Sequence, residues 1–508
     1  MSIILASTVA IIGGGPSGLV TAKEAKACGL TPTVFEKSSS IGGVWNPEEG
    51  KVWDSLKINN SRFSSCFSDF PWDENADDFP NSKEVYHYLC NYAKHNDLYE
   101  NTKLNCNVTK IRRLNDQWAV EWIRDEKYLE TSLFDSVVIC SGLYSKGYTP
   151  QIQGLETFSG RVIHSENYKK PDSFLGRKVA IIGNSFSGTE IAADIALKAD
   201  KVFHIYHRPY WILSRYRKEK ETQRLIPFDL ISFKRNSLAQ NETQDEHNER
   251  INKILVELCS EQFKIDPNLI ISSSLKEFPF LTTSDTYLHH VKKRVIIPKN
   301  GRIQKIDGSM LILEDESRLE VDDLVFSTGY CTDASFFDQS MQKELEFDSS
   351  PSLQPFLLHN IFHPKFPNMA FICLARHSIS FGILELQARL ACMTLSKKIA
   401  WPSDSIMEEG LKESREFRCK KMKSQHRFSN HMLICENLAK ELNVLPDFSK
   451  IQRENPTLYD QLMNGPFTPA GYRLCGFGSN EEMALKILDE ITKRAGKPAG
   501  PRELYFHE

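Results

Sequence analysis

Two stretches of this 508-residue chain decide its fold: Thr8-Val9-Ala10-Ile11-Ile12-Gly13-Gly14-Gly15-Pro16-Ser17-Gly18 and Lys178-Val179-Ala180-Ile181-Ile182-Gly183-Asn184-Ser185-Phe186-Ser187-Gly188. Each is an unbroken, β-rich apolar run that turns through glycine into an alanine-rich stretch of helical character. A strand apolar on both faces belongs inside a parallel sheet with helices covering each side. Pro16 stands where a helix begins, a place where its missing N–H costs nothing. Gly29 stands where that helix stops.

Outward from these anchors the repeat continues. The first copy leads through strands around Leu104–Val108 and Trp118–Trp122 to the apolar run Phe134–Ile139, which ends in Cys140-Ser141-Gly142. The second leads to Asp322–Phe326, which ends in Ser327-Thr328-Gly329-Tyr330. On the way, Asn300-Gly301 and Asp307-Gly308 read as two tight hairpin turns. The expected fold class is α/β, with two dinucleotide-binding, Rossmann-like domains, the second inserted into the first. The first is expected over residues 1–168 and 326–508, the second over 169–325. Within the second, about 217–293 is a charged insertion in which Ile251, Ile254, Leu255, Leu258 and Cys259 fall at helical spacing. It reads as a packed helical excursion.

The glycine loops carry the chemistry. Gly13, Gly14, Gly15, Pro16, Ser17 and Gly18 let the backbone approach a pyrophosphate at a positive helix N-terminus. Glu36 closes the next strand, where a carboxylate can accept a hydrogen bond from a ribose hydroxyl. The second loop keeps Gly183 and Gly188 but carries Ser185 and Ser187, whose hydroxyls can also bond phosphate. Its following strand ends in His207-Arg208 and lacks the acid, so this pocket is expected to prefer a 2'-phosphate, hence NADPH. Arg215 is a second candidate for that task. One chain with two dinucleotide sites suits hydride transfer from nicotinamide to flavin.

Composition removes other classes. With 63 basic and 66 acidic residues and no basic stripe, no nucleic-acid partner is expected. The 12 cysteines form no Cys-x-x-Cys pair, which argues against a dithiol reductase and a zinc site, so no metal is expected. No apolar run approaches the ~20 residues that span a bilayer, and the apolar N-terminus lacks a basic flank, so a cytoplasmic protein without a transmembrane anchor is expected.

The segment Phe158–Tyr168 has the form Phe-x-Gly-x-x-x-His-x-x-x-Tyr, and it resembles the signature of the flavin-containing monooxygenases (class B flavoprotein monooxygenases). Several segments agree, in order, along nearly the whole chain: Gly42-Gly43-Val44-Trp45, Asn59-Asn60-Ser61-Arg62, Cys66–Pro71, Glu385–Arg389 and Gly465–Leu474. The resemblance implies FAD contacts from Gly13–Gly18, Glu36, Val44, Trp45, Asn59 and Asn60, and NADPH contacts from Ser187, Gly188, Thr189, Glu190 and Arg208. Asn59 resembles the family's active-site asparagine, and His164 is assigned an interdomain hydrogen bond. The implied reaction adds one oxygen of O2 to a small nucleophilic substrate, an amine nitrogen or a sulfide, through a hydroperoxide on flavin C4a. A homodimer is the implied assembly. Two other outputs compete: Baeyer–Villiger oxygenation, and an uncoupled NADPH oxidase or redox-sensing flavoprotein. Baeyer–Villiger relatives end the signature in tryptophan, whereas Tyr168 stands here, which favours heteroatom oxygenation.

Overall fold

The computed structural model describes residues 7–219, 223–237, 243–271, 274–277, 279–347, 355–372, 381–419 and 431–496. The two fingerprints open two five-stranded sheets of the same internal plan. In the first, Thr8–Ile12 lies between Thr31–Phe35 and Ser136–Ile139, all parallel, with Thr102–Lys103 and Met369–Phe371 outermost. In the second, Lys178–Ile182 lies between Lys201–Tyr206 and Asp323–Phe326, with Ile296–Asn300 and Arg161–His164 outermost. Val9, Ala10, Ile11, Val179, Ala180 and Ile181 are fully buried, as strands covered on both faces require.

The helix Pro16–Ala27 carries proline in its first turn and packs against Phe381–Leu395, a helix buried along its whole length. Within the insertion, the residues at helical spacing fall on one helix. Gln244–Cys259 begins in a Thr243/Glu246 capping box and packs Leu255 and Cys259 against Trp211 and Leu213.

Two details differ from the sequence expectation. The strand Arg161–His164 falls before residue 169, yet it pairs with Asp323–Phe326 and so belongs to the second sheet. There Asp323, fully buried, accepts from Arg161 Nε at 3.0 Å. The Asn300-Gly301 pair makes no hairpin turn. Ile296–Asn300 runs parallel to Lys201–Tyr206, since its apolar start suits a covered sheet edge better than a meander. The hairpin at Gly308 does form, with Asp307 opposite Met310 and Gly308 at φ +59°. The first and last residues of the chain, 1–6 and 497–508, lie outside the described residues. No helix among the described residues is long and apolar enough to cross a membrane.

Candidate functional site

Both glycine turns sit at the carboxyl ends of their central strands, and both are built the same way. Gly13 has φ +111°, and a Cβ there would meet the Cys140 carbonyl oxygen at 2.6 Å. Gly183 has φ +106°, and its Cβ would meet the Ser327 carbonyl oxygen at 2.4 Å. One turn further, a Cβ on Gly18 would lie 1.8 Å from the Gly13 oxygen, and one on Gly188 1.9 Å from that of Gly183. Only glycine allows strand, turn and helix to approach so closely. The two helix N-termini start at Gly15 and Ser185, and neither receives a side-chain cap or an acidic first turn. Uncapped N–H groups of this kind suit a pyrophosphate.

The first turn has a backbone lid. Gly42 donates its N–H to the Gly14 oxygen at 2.9 Å, and a Cβ on Gly43 would lie 2.9 Å from the Gly15 Cα. Val44 and Trp45 follow, half-buried. Glu36 is buried and accepts from the Gly14 N–H at 2.6 Å and the Ser38 N–H at 2.8 Å, so its carboxylate is oriented along the loop with lone pairs to spare. Ser17 is buried with its hydroxyl 3.5 Å from the Cys140 oxygen. At the ends of the third strands, Ser141 Oγ and Ser327 Oγ are buried without hydrogen-bond partners. These orphaned atoms, the cradles and the uncapped helices fit two dinucleotides.

The second turn has a different electrostatic character. Arg208 is exposed and rests over the Phe280 ring at 4.8 Å, and its carbonyl accepts from Asn184. Burial lowers the pKa of His207, and Arg302 and Arg208 press it further down. Arg302 was not singled out from the sequence; its signal was its place just after a strand that tertiary pairing brings beside Lys201–Tyr206. Three further positions have their side chains engaged within the protein. Thr189 is fully buried with its hydroxyl on Tyr210 at 3.2 Å, so that side chain serves the core. Arg215 is 3% exposed and spends its guanidinium on Glu190 at 2.9 Å, Asp285 at 3.1 Å and the carbonyls of Ile58 and Lys57. It is a brace, and so is Glu190.

His204 is a further residue that the sequence did not single out. Its Nε2 lies 2.9 Å from the Gly183 oxygen, and since a carbonyl only accepts, Nε2 carries the proton. Nδ1 then accepts from the Tyr287 hydroxyl at 2.8 Å. Burial pushes its pKa down to about 4, against the pull of the Gly183 carbonyl. Between pH 6.5 and about 4 the unfolded chain therefore binds a proton that the native chain refuses, and stability falls as pH falls through that window. His204→Gln keeps a donor and removes the titration. Urea unfolding at pH 7 and pH 4.5 is expected to show that variant losing less stability than wild type, by on the order of 2–3 kcal/mol.

The signature segment is a joint between the sheets. Glu166 accepts from Lys51 Nζ at 2.8 Å and the Gly147 N–H at 2.9 Å. Lys169 donates to the Gly50 and Val52 carbonyls at 2.9 and 3.1 Å, and Tyr168 donates to Asp194 at 2.5 Å. His164 is buried, with Tyr330 edge-on at 5.2 Å and Nδ1 accepting from the Glu166 N–H at 3.1 Å; burial lowers its pKa. Asn59 is exposed on a loop otherwise buried from Ser61 to Ser64. Asn60 lines a small recess with Ser64, Gly382, His431, Phe467 and Tyr472.

A family described as flavin-binding monooxygenase-like matches residues 6–504. The chain belongs to that family. It is thus an FAD-containing, NADPH-dependent monooxygenase. Among curated relatives, it is 29% identical to flavin-containing monooxygenase 5 of Cavia porcellus, over 97% of this chain and 93% of that one. It is 30% identical to dimethylaniline monooxygenase [N-oxide-forming] 2 of Mus musculus, over 98% and 94%. The S-allyl-L-cysteine S-oxygenase of Allium sativum shares the fold, with a TM-score of 0.62 at 20% identity, over 96% of this chain and 99% of that one.

Proposed function

We propose that this flavin-binding monooxygenase oxygenates a soft nucleophilic atom, an amine nitrogen or a sulfide sulfur, of a small molecule. The cofactor half of that reading is supported by the pairing of unlike cradles, and the substrate half by Tyr168. One cradle presents a buried carboxylate, Glu36, and the other a cationic rim, Arg208 and Arg302. The first suits the adenosine ribose of FAD and the second the 2'-phosphate of NADPH. Gly13–Gly18, Val44, Trp45, Asn59 and Asn60 would hold FAD. Gly183, Ser185, Ser187 and Gly188, with the backbone of Thr189 and Glu190, would hold the NADPH pyrophosphate.

Bound FAD, once reduced, supplies the activation of O2. The chain supplies exclusion of water, orientation and timing. The Asn59 amide is an uncharged donor, able to steady developing negative charge on oxygen without delivering the proton that would discard it. Tyr168, held by Asp194, stands where the Baeyer–Villiger signature has tryptophan, which favours the heteroatom reaction. Assays with a thioether, a tertiary amine and a cyclic ketone test this. Sulfoxide or N-oxide is expected to dominate, and ester as the main product would overturn it. By the same resemblance we read a homodimer, which sedimentation velocity checks.

The cationic rim has its own test. Arg208→Ala is expected to raise the KM for NADPH about tenfold and leave that for NADH nearly unchanged, the loss of one charge-assisted contact. Arg208→Ala combined with Arg302→Ala is expected to reverse the preference. An unchanged NADPH preference would place the phosphate elsewhere.

A further inference from the structure

The Asn59 loop is gripped from both sides by one short piece of the second nucleotide-binding region. On one side Arg215 holds the Ile58 carbonyl at 3.0 Å and the Lys57 carbonyl at 3.3 Å. On the other, Asp229 Oδ2 accepts from the Ser61 N–H at 3.1 Å, the Ser61 hydroxyl at 2.6 Å and the Ser64 hydroxyl at 2.5 Å. The two grips are one unit, because the Phe228 N–H donates to the Arg215 oxygen at 2.9 Å. Around them Phe63 packs with Ile226 and Leu230, so the contact is dry. Arg215 also pairs with Glu190 on the helix that follows the second glycine turn. The loop carrying Asn59 is thus tied through two side chains to the element that would bind NADPH.

We propose that Asp229 is a positioning residue for Asn59, the closing half of an Arg215–Asp229 clamp that couples the second nucleotide turn to the oxygenation site. The assignment deepens the proposed function and rests on it. Asp229 is 3% exposed and its Oδ1 is buried without a hydrogen-bond partner. The carboxylate is the acceptor for three donors of the Asn59 loop, which an apolar residue would leave unpaired, and it meets them at the cost of one oxygen left over. Burial pushes the carboxyl pKa up against the pull of Ser61 and Ser64. Asparagine is a close replacement by shape: its amide oxygen can accept from the same three donors, and its nitrogen stands in the place of Oδ1.

The test uses the flavin-loaded oxidised enzyme with two readouts other than turnover. These are amide hydrogen exchange over residues 57–66, and the change in flavin absorbance as NADP+ is added. In Asp229→Ala, flavin stays bound, the Ser61 amide exchanges at least about tenfold faster, and about tenfold more NADP+ is needed for the spectral change. Asp229→Asn restores both. Should Asp229→Ala fail to fold, Ser61→Ala combined with Ser64→Ala removes two of the three donors and is expected to weaken both signals the same way. Unchanged exchange and unchanged NADP+ response in Asp229→Ala or the double variant overturn the clamp. So does an Asp229→Asn variant as impaired as Asp229→Ala. A wild-type enzyme whose clamp behaves as expected, yet which oxygenates no amine or sulfide, supports the clamp and sinks the proposed substrate class.

Discussion

Gly18→Ala is expected to give a folded protein that purifies without flavin, and Gly188→Ala a flavin-loaded protein that hardly binds NADPH. The two glycines stand at matching places, and the added Cβ would sit 1.8 Å from the Gly13 oxygen in one case and 1.9 Å from the Gly183 oxygen in the other. No side chain can move aside, because the obstacle is the backbone of the turn itself. The helix must back away from the strand, and the N–H groups of its first turn leave their aim. Such overpacking costs about 3 kcal/mol, about a hundredfold in affinity. Absorbance near the flavin band, set against protein concentration, reads the first variant. NADPH titration of the holoenzyme reads the second, with far-ultraviolet circular dichroism confirming the fold of both. Loss of flavin from Gly188→Ala, with retention in Gly18→Ala, would exchange the two assignments.

Asn59→Leu carries the other large effect. Leucine matches asparagine in size but donates nothing. The variant is expected to keep its flavin and to oxidise NADPH, while oxygenated product falls about a hundredfold or more and hydrogen peroxide rises to match the NADPH consumed. Asn59 is exposed, and its fold anchors are the neighbours on either side, so thermal stability is expected to change little. Product yield and peroxide measured on the same sample check the point. Undiminished product would remove Asn59 from the chemistry. Comparison with Asp229→Ala then separates a donor from the residue that places it: the asparagine substitution at 229 should rescue, whereas no apolar substitution at 59 should.

The repeat and its consequences were legible because they are local. An apolar run followed by glycine and an alanine-rich helix places Gly13, Gly18, Gly183 and Gly188 at strand-to-helix turns whatever the rest of the chain does. Glu36 was legible from spacing alone, and it orients on the Gly14 N–H as a loop-facing carboxylate would. What failed to show was anything made by pairing between distant segments. Arg302 became a neighbour of Arg208 only because Ile296–Asn300 joins the second sheet in parallel. Arg215 looked like a phosphate ligand because its charge was visible and its partners, Glu190, Asp285 and two carbonyls, were not.

The same contrast holds for the late motifs. Cys66–Pro71, Glu385–Arg389 and Gly465–Leu474 could be matched to a family but not explained. In the folded chain Arg473 donates to Ser68 Oγ at 2.6 Å, to Glu385 at 2.5 Å and to Asp69 at 3.0 Å, with Glu24 of the first nucleotide helix 3.4 Å away. Arg473 is 2% exposed, so these charges are paired out of water and lock that helix to the C-terminal segments. By itself the sequence determined the two sheets, their glycine turns and the acid-versus-cation contrast between them, because strand period, glycine geometry and charge act over a few residues. Only the tertiary structure decided which charges are ligands and which are braces, since a charge's role depends on the partners that folding brings within about 3 Å, and those lie from 25 to more than 400 residues away.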